Sequence, residues 1–293
     1  MNTYTEGFIS ILCPTRGRPE NVKRLVDSVL STASRSDYLE ILFYVDNDDP
    51  SFPEDLEIHE NVKVFRGPNI WISNAHNFLY VQSRGSILFS AGDDMIFQTV
   101  GWDNIIREKF QQIPDGIGLV FGNDLGTHAG KIATHGFFHR NWVDALGTWV
   151  QPGRGSLWDM WSTENARLIN RLFFLKDLVI EHRHYRQSSS EVSFDNTYAR
   201  IRTSNASFRP EKTFKKLARE RRIDRLLLAQ RMSRPPRIEY TYLLSSLLID
   251  NTKIKQNFEL SLRIATLSNF QMMVFLPGYT LRRLRSFLGV FKR

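Results

Sequence analysis

The sequence predicts an α/β protein, a mainly parallel sheet flanked by helices, with a basic helical extension at the carboxyl end. Three observations carry this. From Phe8 to Phe89, short apolar runs alternate with amphipathic stretches, the pattern of strands joined by crossover helices. The first run is almost unbroken in its hydrophobicity, as expected of a strand buried on both faces. Turn-forming, carboxylate-rich clusters follow the ends of these runs, where open α/β sheets hold their ligands.

Taken in order, Phe8 to Cys13 is the first strand, broken by Pro14-Thr15-Arg16-Gly17-Arg18-Pro19. Val22, Leu25, Val26, Val29 and Leu30 then recur at helical spacing within a helix from about Glu20 to Ala33. A second strand, Glu40 to Val45, runs into the acidic turn Asp46-Asn47-Asp48-Asp49-Pro50. A third, Val62 to Phe65, precedes a helix around Ile72 to Val81, and a fourth, Ile87 to Phe89, leads to Asp93 and Asp94. Beyond Trp102 come a helix, an apolar segment at Ile117 to Phe121, and loops rich in Gly, His and aromatics as far as about Trp158. Ser162 to Arg171 reads as a helix, and Arg171 to Ile180 as a turn into another strand. Apolar patterning gives way near Asn205 to Glu211, dividing the chain into a body, 1–210, and an extension, 211–293. In the extension, Pro235-Pro236 interrupts a basic run before a helix at Ile238 to Leu248.

The 293 residues are 42% hydrophobic and 24% charged, which suits a globular protein and excludes a disordered one. No run approaches the roughly 18 apolar residues of a membrane span. Met1 to Gly7 is polar, so no cleaved signal is expected, and the single cysteine, Cys13, rules out an internal disulfide. A cytoplasmic location follows as the expectation, with Cys13 a small buried apolar residue. Charge is uneven. From Glu211 onward there are 18 Lys+Arg against 6 Asp+Glu, whereas the first 210 residues carry 21 against 25. A basic tail on a mildly acidic body implies an acidic partner.

The candidate site starts from Asp93-Asp94. Adjacent carboxylates repel unless a cation or strong donors lie between them. Mg²⁺ and similar hard ions take oxygen ligands and are commonly shared between one or two carboxylates and substrate phosphates. The pair therefore points to a metal–diphosphate site, with Mn²⁺ or Mg²⁺ as cofactor, and Arg16 or Arg18 can share the anionic charge. Asn74 and Asn77 lie one helical turn apart, so their amides can face one site. His182 and His184, at i and i+2 on an extended chain, share a face.

The segments ISILCPTRGRPENVKRLVDSVL, VDNDD, WISNAHNFLYVQSRGSILFSAGDD, WDMW and EHRH, in this order over residues 8–186, resemble family 2-type glycosyltransferases. That resemblance implies a GT-A fold and a nucleotide-sugar donor transferred, with inversion, to a glycan or lipid-linked acceptor in surface polysaccharide or glycoconjugate synthesis. It implies that Pro14, Thr15, Arg16 and Asp46 border the nucleoside, with Asp48 the alternative to Asp46, and that Asn77 faces the donor. Asp93 and Asp94 would be the metal motif, Asp94 on the metal and Asp93 on the sugar or the metal's water shell. Gly92 departs from the pattern, since many members carry a carboxylate there. Asp159 would be the catalytic base, with Asp144 and Glu164 as runners-up, although Trp158 stands where many relatives have a second acid. His182, ahead of His184, would complete the metal or diphosphate contacts. Nothing in the sequence singles out one of His128, His135 and His139.

Asn269 to Arg293 mixes apolar and basic residues, with positions 281, 284, 287, 288 and 291 on one helical face from Tyr279. Such a basic amphipathic helix suits the surface of an anionic membrane, and a peripheral position at its inner face. Two other functions compete with this one. A nucleotidyltransferase making nucleotide sugars usually has a Gly-rich loop after the first strand, which Pro-Thr-Arg-Gly-Arg-Pro matches poorly. A nucleic-acid-binding role would rest on the basic tail, but the charge lies outside the motif-bearing body and no recognition signature accompanies it, so no nucleic-acid partner is expected.

Overall fold

The first strand, β1 (Thr5–Thr15), lies between two parallel neighbours in the computed structural model, which describes residues 4–126, 128–150, 157–184 and 210–233 together with Asp195 and Ala199. Those neighbours are β2 (Leu39–Asp46) and β4 (Gly85–Ser90), and β3 (Val62–Gly67) pairs in parallel with β2 on the outside. The apolar runs read from the sequence are these four strands. Alternate residues of β1 serve opposite faces, as the two-residue period of a strand requires. Ile9, Ile11 and Cys13 join one apolar cluster, and Leu12 joins the other. Cys13 is fully buried, and burial, followed by the nearby Asp93 and Asp94 charges, pushes its thiol well above the ordinary pKa, so it sits in the core as a protonated apolar group.

Helices cover both faces. α1 (Pro19–Thr32) starts on a proline, whose fixed φ suits the first turn, and buries Val22, Leu25, Val26 and Val29 against the first cluster. α2 (Trp71–Gln82) buries Ala75, His76 and Leu79 on the opposite face. α3 (Trp102–Gln111) returns to the first face, and α4 (Arg140–Leu146) and α5 (Trp158–Leu168) lie on the second. α5 begins four residues ahead of the helix expected at Ser162, because Trp158 and Trp161 are core residues that the helical register brings to one side.

The second half of the sheet is only partly legible in the sequence: the strand expected from Arg171 to Ile180 is present as β8 (Leu172–His182), and the apolar segment at Ile117 to Phe121 contributes β6 (Leu119–Asn123). With β5 (Met95–Phe97) and β7 (Phe137–His139) they complete the order β3-β2-β1-β4-β7-β6-β8-β5. β7 is antiparallel to β4 and β6, and β5 is antiparallel to β8. Three-residue strands leave no periodic signature, so β5 and β7 have nothing in the sequence to announce them.

The described part of the extension consists of α6 (Pro210–Lys216) and α7 (Ala218–Arg231). α7 packs on α4 and α5, and its Leu228 and Ala229, with Met232 just beyond, enter the second apolar cluster. Among the described residues no helix is long and apolar enough to cross a membrane. The expected helices at 238–248 and 279–293 lie outside the described residues.

Candidate active site

The carboxyl edge of the parallel strands gathers the predicted residues. Pro14, Thr15 and Arg16 leave β1, Asp46 ends β2, and Asp93 and Asp94 follow β4 within a few residues. Two ionic groups form there. In one, the Arg16 guanidinium donates to Asp46 (Nη1 to Oδ2, 2.9 Å) and to both oxygens of Asp48, while Asn69 donates its amide to Asp46 at 2.9 Å. In the other, Thr15 donates its hydroxyl to Asp93 at 2.7 Å and Arg18 donates Nη1 to Asp93 at 3.0 Å, with Asp94 Oδ2 3.9 Å from the same nitrogen. The two arginines are thereby sorted: Arg16 serves the Asp46–Asp48 turn, and Arg18 the Asp pair. Arg18 also donates Nε and Nη2 to the two oxygens of Asp195, a forked contact that fixes its plane.

Antiparallel pairing supplies the rest. The β5–β8 register sets Met95 opposite His182, and the Arg183 N–H donates to the Asp94 carbonyl at 2.8 Å. His182 Nε2 is consequently 3.4 Å from Asp94 Oδ1. The β4–β7 pairing sets Phe89 opposite Phe137 and carries His135 to the same place, where its Nδ1 lies 2.8 Å from the Ser90 carbonyl. A carbonyl accepts only, so Nδ1 carries the proton and Nε2 keeps its lone pair. Ligand atoms of Asp94, His135 and His182 all lie within 4.8 Å of one another.

This donor set fits one divalent ion: a carboxylate oxygen with two imidazole nitrogens, one of them held in its ligating tautomer by a second partner. Gly92 explains itself in the same geometry. A Cβ there would stand 2.7 Å from Asp94 Oδ1 and 3.2 Å from His135 Cε1, so a side chain at this position has no room without displacing one of them.

Electrostatics follow from burial and proximity. Burial alone would lower the His182 pKa, but its contact with Asp94, reinforced by Asp124 and Asp93, holds it above the ordinary value. His135 has burial and the neighbouring His182 against its charged form and falls to about 4. Burial, then the Asp94 charge, raises Asp93 despite the opposing effect of Arg18 and Thr15. The Asp159 carboxyl, in the first turn of α5, is raised chiefly by burial, while the Met160 N–H and the His182 and His128 rings partly offset the rise. Asp159 thus feels one histidine of the cluster, His182, together with His128.

Other sequence candidates sit elsewhere or do other work. Asn77 accepts from the backbone N–H groups of Trp149 and Val150, both at 3.0 Å, and donates to the Val150 carbonyl at 2.6 Å, so its amide holds the 148–150 segment. Asn74 lies partly buried on the same helix. Asp144 accepts from the Tyr80 hydroxyl at 3.1 Å, and Glu164 accepts from Arg221 on α7. His139 caps α4 by accepting from the Asn141 N–H and lies 3.5 Å from Glu6, in a different neighbourhood. His184 has its ring 5.5 Å from that of His182. Sequence reading did not single out His135, nor did it raise Asp124 or Asp195. Each lies at least 30 residues from the Asp pair, and only the folded chain brings it in.

Comparison with known proteins places the architecture. No family model and no curated protein matches the chain. Among solved structures, the mannosyltransferase PcManGT from Pyrobaculum calidifontis in complex with GDP-Man and Mn²⁺ aligns at 12% identity over 96% of this chain and 86% of that one, with a TM-score of 0.52. S. aureus TarS 1-349 in complex with UDP-GlcNAc aligns at 13% identity over 85% and 76%, with a TM-score of 0.46. The likeness to PcManGT, together with the strand order and the edge site, gives the chain a GT-A-type fold.

Proposed function

We propose that the protein is a metal-dependent, inverting glycosyltransferase that moves a sugar from a nucleotide donor to a glycan or lipid-linked acceptor. The observation that carries this reading is the convergence of Asp94, His135 and His182 beside Asp93 and Arg18 at the carboxyl edge of the sheet. The fold it shares with a protein that binds GDP-Man and Mn²⁺ supports the same reading. Asp94, His182 and His135 would hold Mn²⁺ or Mg²⁺, which supplies Lewis acidity toward the leaving diphosphate.

The chain's own residues divide the remaining tasks. Asp46, oriented by Arg16 and Asn69, accepts hydrogen bonds from the base or ribose. Pro14, Thr15 and Arg16 form the wall of the nucleoside site. Arg18 balances the Asp93–Asp94 charge, leaving Asp93 to orient the donor sugar. Asp159, whose pKa burial has raised, takes the acceptor hydroxyl proton as that oxygen attacks the anomeric carbon opposite the diphosphate. The basic extension brings the enzyme to an anionic membrane surface bearing its acceptor.

The test is to incubate the full chain with a panel of nucleotide sugars and Mn²⁺ and to measure free nucleoside diphosphate with and without acceptors. Donor turnover is expected with at least one sugar nucleotide. It should be abolished in Asp94→Ala, and Asp159→Asn should bind donor normally but transfer nothing. Full activity in Asp159→Asn would remove Asp159 as the base. Pyrophosphate release from a nucleoside triphosphate and a sugar phosphate, with no donor turnover, would replace this reading with nucleotidyl transfer.

A further inference from the structure

Trp71 combines two unfavourable features in one residue. Its φ of +65° puts a bulky side chain in the left-handed region, which favours glycine. Its side chain gains little from packing in return, since Trp71 is 63% exposed and the adjacent Ile72 54%. Nothing among the described residues accounts for a large aromatic residue held both strained and wet, and residues held in sparsely populated backbone regions cluster at ligand sites.

Its location suggests what the ligand is. The Trp71 N–H donates to Asn69 Oδ1 at 3.2 Å, and Asn69 in turn donates its amide to Asp46 Oδ2 at 2.9 Å. The strained conformation is thus tied through one side chain to the carboxylate that closes β2. Arg16 Nη1 donates to the same oxygen of that carboxylate at 2.9 Å. The turn connecting β3 to α2 is anchored as well, with the Asn47 N–H donating to the Gly67 carbonyl at 2.7 Å and the Tyr44 hydroxyl to the Pro68 carbonyl at 2.7 Å. An exposed indole on a residue whose backbone is joined through Asn69 to a carboxylate suits a flat heteroaromatic ligand: the carboxylate reads its edge and the ring covers its face.

We propose that Trp71 is the stacking platform for the nucleobase of the donor. This rests on the nucleotide-donor reading above and extends it by naming the residue that covers the base. Stacking is tolerant of base identity because every base has a π face. Trp71 therefore contributes affinity to all nucleotides, while discrimination between bases falls to Asp46 and Asn69.

The experiment titrates the full chain, with Mn²⁺, against GDP, UDP, ADP and CDP and against inorganic pyrophosphate, by calorimetry. Trp71→Ala should weaken nucleoside diphosphate binding about tenfold and leave pyrophosphate binding unchanged. Trp71→Phe should recover most of the loss. Trp71→Gly should bind nucleotide as poorly as Trp71→Ala while melting at a higher temperature than Trp71→Ala, because glycine accepts the positive φ without strain. Unchanged nucleotide affinity in Trp71→Ala, with the wild type binding normally, would overturn the platform and leave the nucleotide reading intact. Equal loss for pyrophosphate would also overturn it, in favour of an effect through Asn69 on the loop. Normal nucleotide binding with impaired transfer would assign Trp71 to the acceptor instead. If the wild type bound pyrophosphate but no nucleoside diphosphate, the nucleotide reading itself would fall.

Discussion

Gly92 is where one missing atom shapes the site. A methyl group there would meet Asp94 Oδ1 at 2.7 Å, and the cheapest relief is rotation of that carboxylate. Gly92→Ala is therefore expected to keep the fold, checked by circular dichroism, while lowering Mn²⁺ affinity in calorimetry by about tenfold or more, the usual scale for displacing a ligand's support. His76 makes a different case. Its ring packs edge-on to Trp149 and roughly parallel to Trp158, with centroids 5.5 and 6.3 Å away, and its Nδ1 has no hydrogen-bond partner among the described residues. Burial, then the nearby His135, lowers its pKa to about 3, against about 6.5 for a free histidine. The unfolded chain binds the extra proton between those values, so this stability is complete above about pH 6.5 and is lost as pH falls toward 3, by up to about 1.4 kcal/mol per pH unit. His76→Phe, which keeps an aromatic ring in place, should flatten the fall of Tm with pH in that window by one proton's share, while His135 retains its own. An unchanged slope would show that His76 does not stay neutral in the fold.

At the scale of elements, α5 carries the proposed base and α7 holds α5 in place. The Trp161 indole donates to Asp224 at 2.8 Å, and Arg221 on α7 pairs with Glu164 on α5. Asp224 is fully buried, as is Leu228 one turn later. The helix–helix contact thus combines a buried polar lock with apolar packing, and removing one side of such a lock leaves the other unpaired. Leu228→Ala should cost about 3 kcal/mol in urea unfolding, and Asp224→Ala a comparable amount. The consequence for architecture is concrete: residues 210–233 belong structurally with the helices of the body that they cover, although composition changes before them. Composition reports charge, whereas docking depends on a few buried positions such as Leu228 and Met232, which a basic stretch obscures.

At the scale of the whole molecule, charge is divided along the sequence, 18 Lys+Arg against 6 Asp+Glu from Glu211 onward and 21 against 25 before it, and the proposed docking to an anionic membrane rests on this asymmetry. The full chain should co-sediment with vesicles containing anionic lipid, more weakly at high salt, and truncation after Ser268 should reduce that binding. Binding unaffected by the truncation would remove the tail from membrane docking. The parallel half of the sheet, its flanking helices and the edge that holds Asp46, Asp93 and Asp94 are legible in the chain, because continuous apolar strands and the breaks after them are local signals. The GT-A resemblance was legible for the same reason, its motifs lying along consecutive stretches. His182 is expected beside Asp94 from the resemblance, whereas His135 and the choice of arginine come only from the folded chain. His135 and His182 arrive through antiparallel pairings β4–β7 and β5–β8 that involve three-residue strands, too short to leave a period in the sequence. A metal site is a distance relation between ligand atoms, and residues 41 and 88 positions past Asp94 meet it only once the sheet has closed around them.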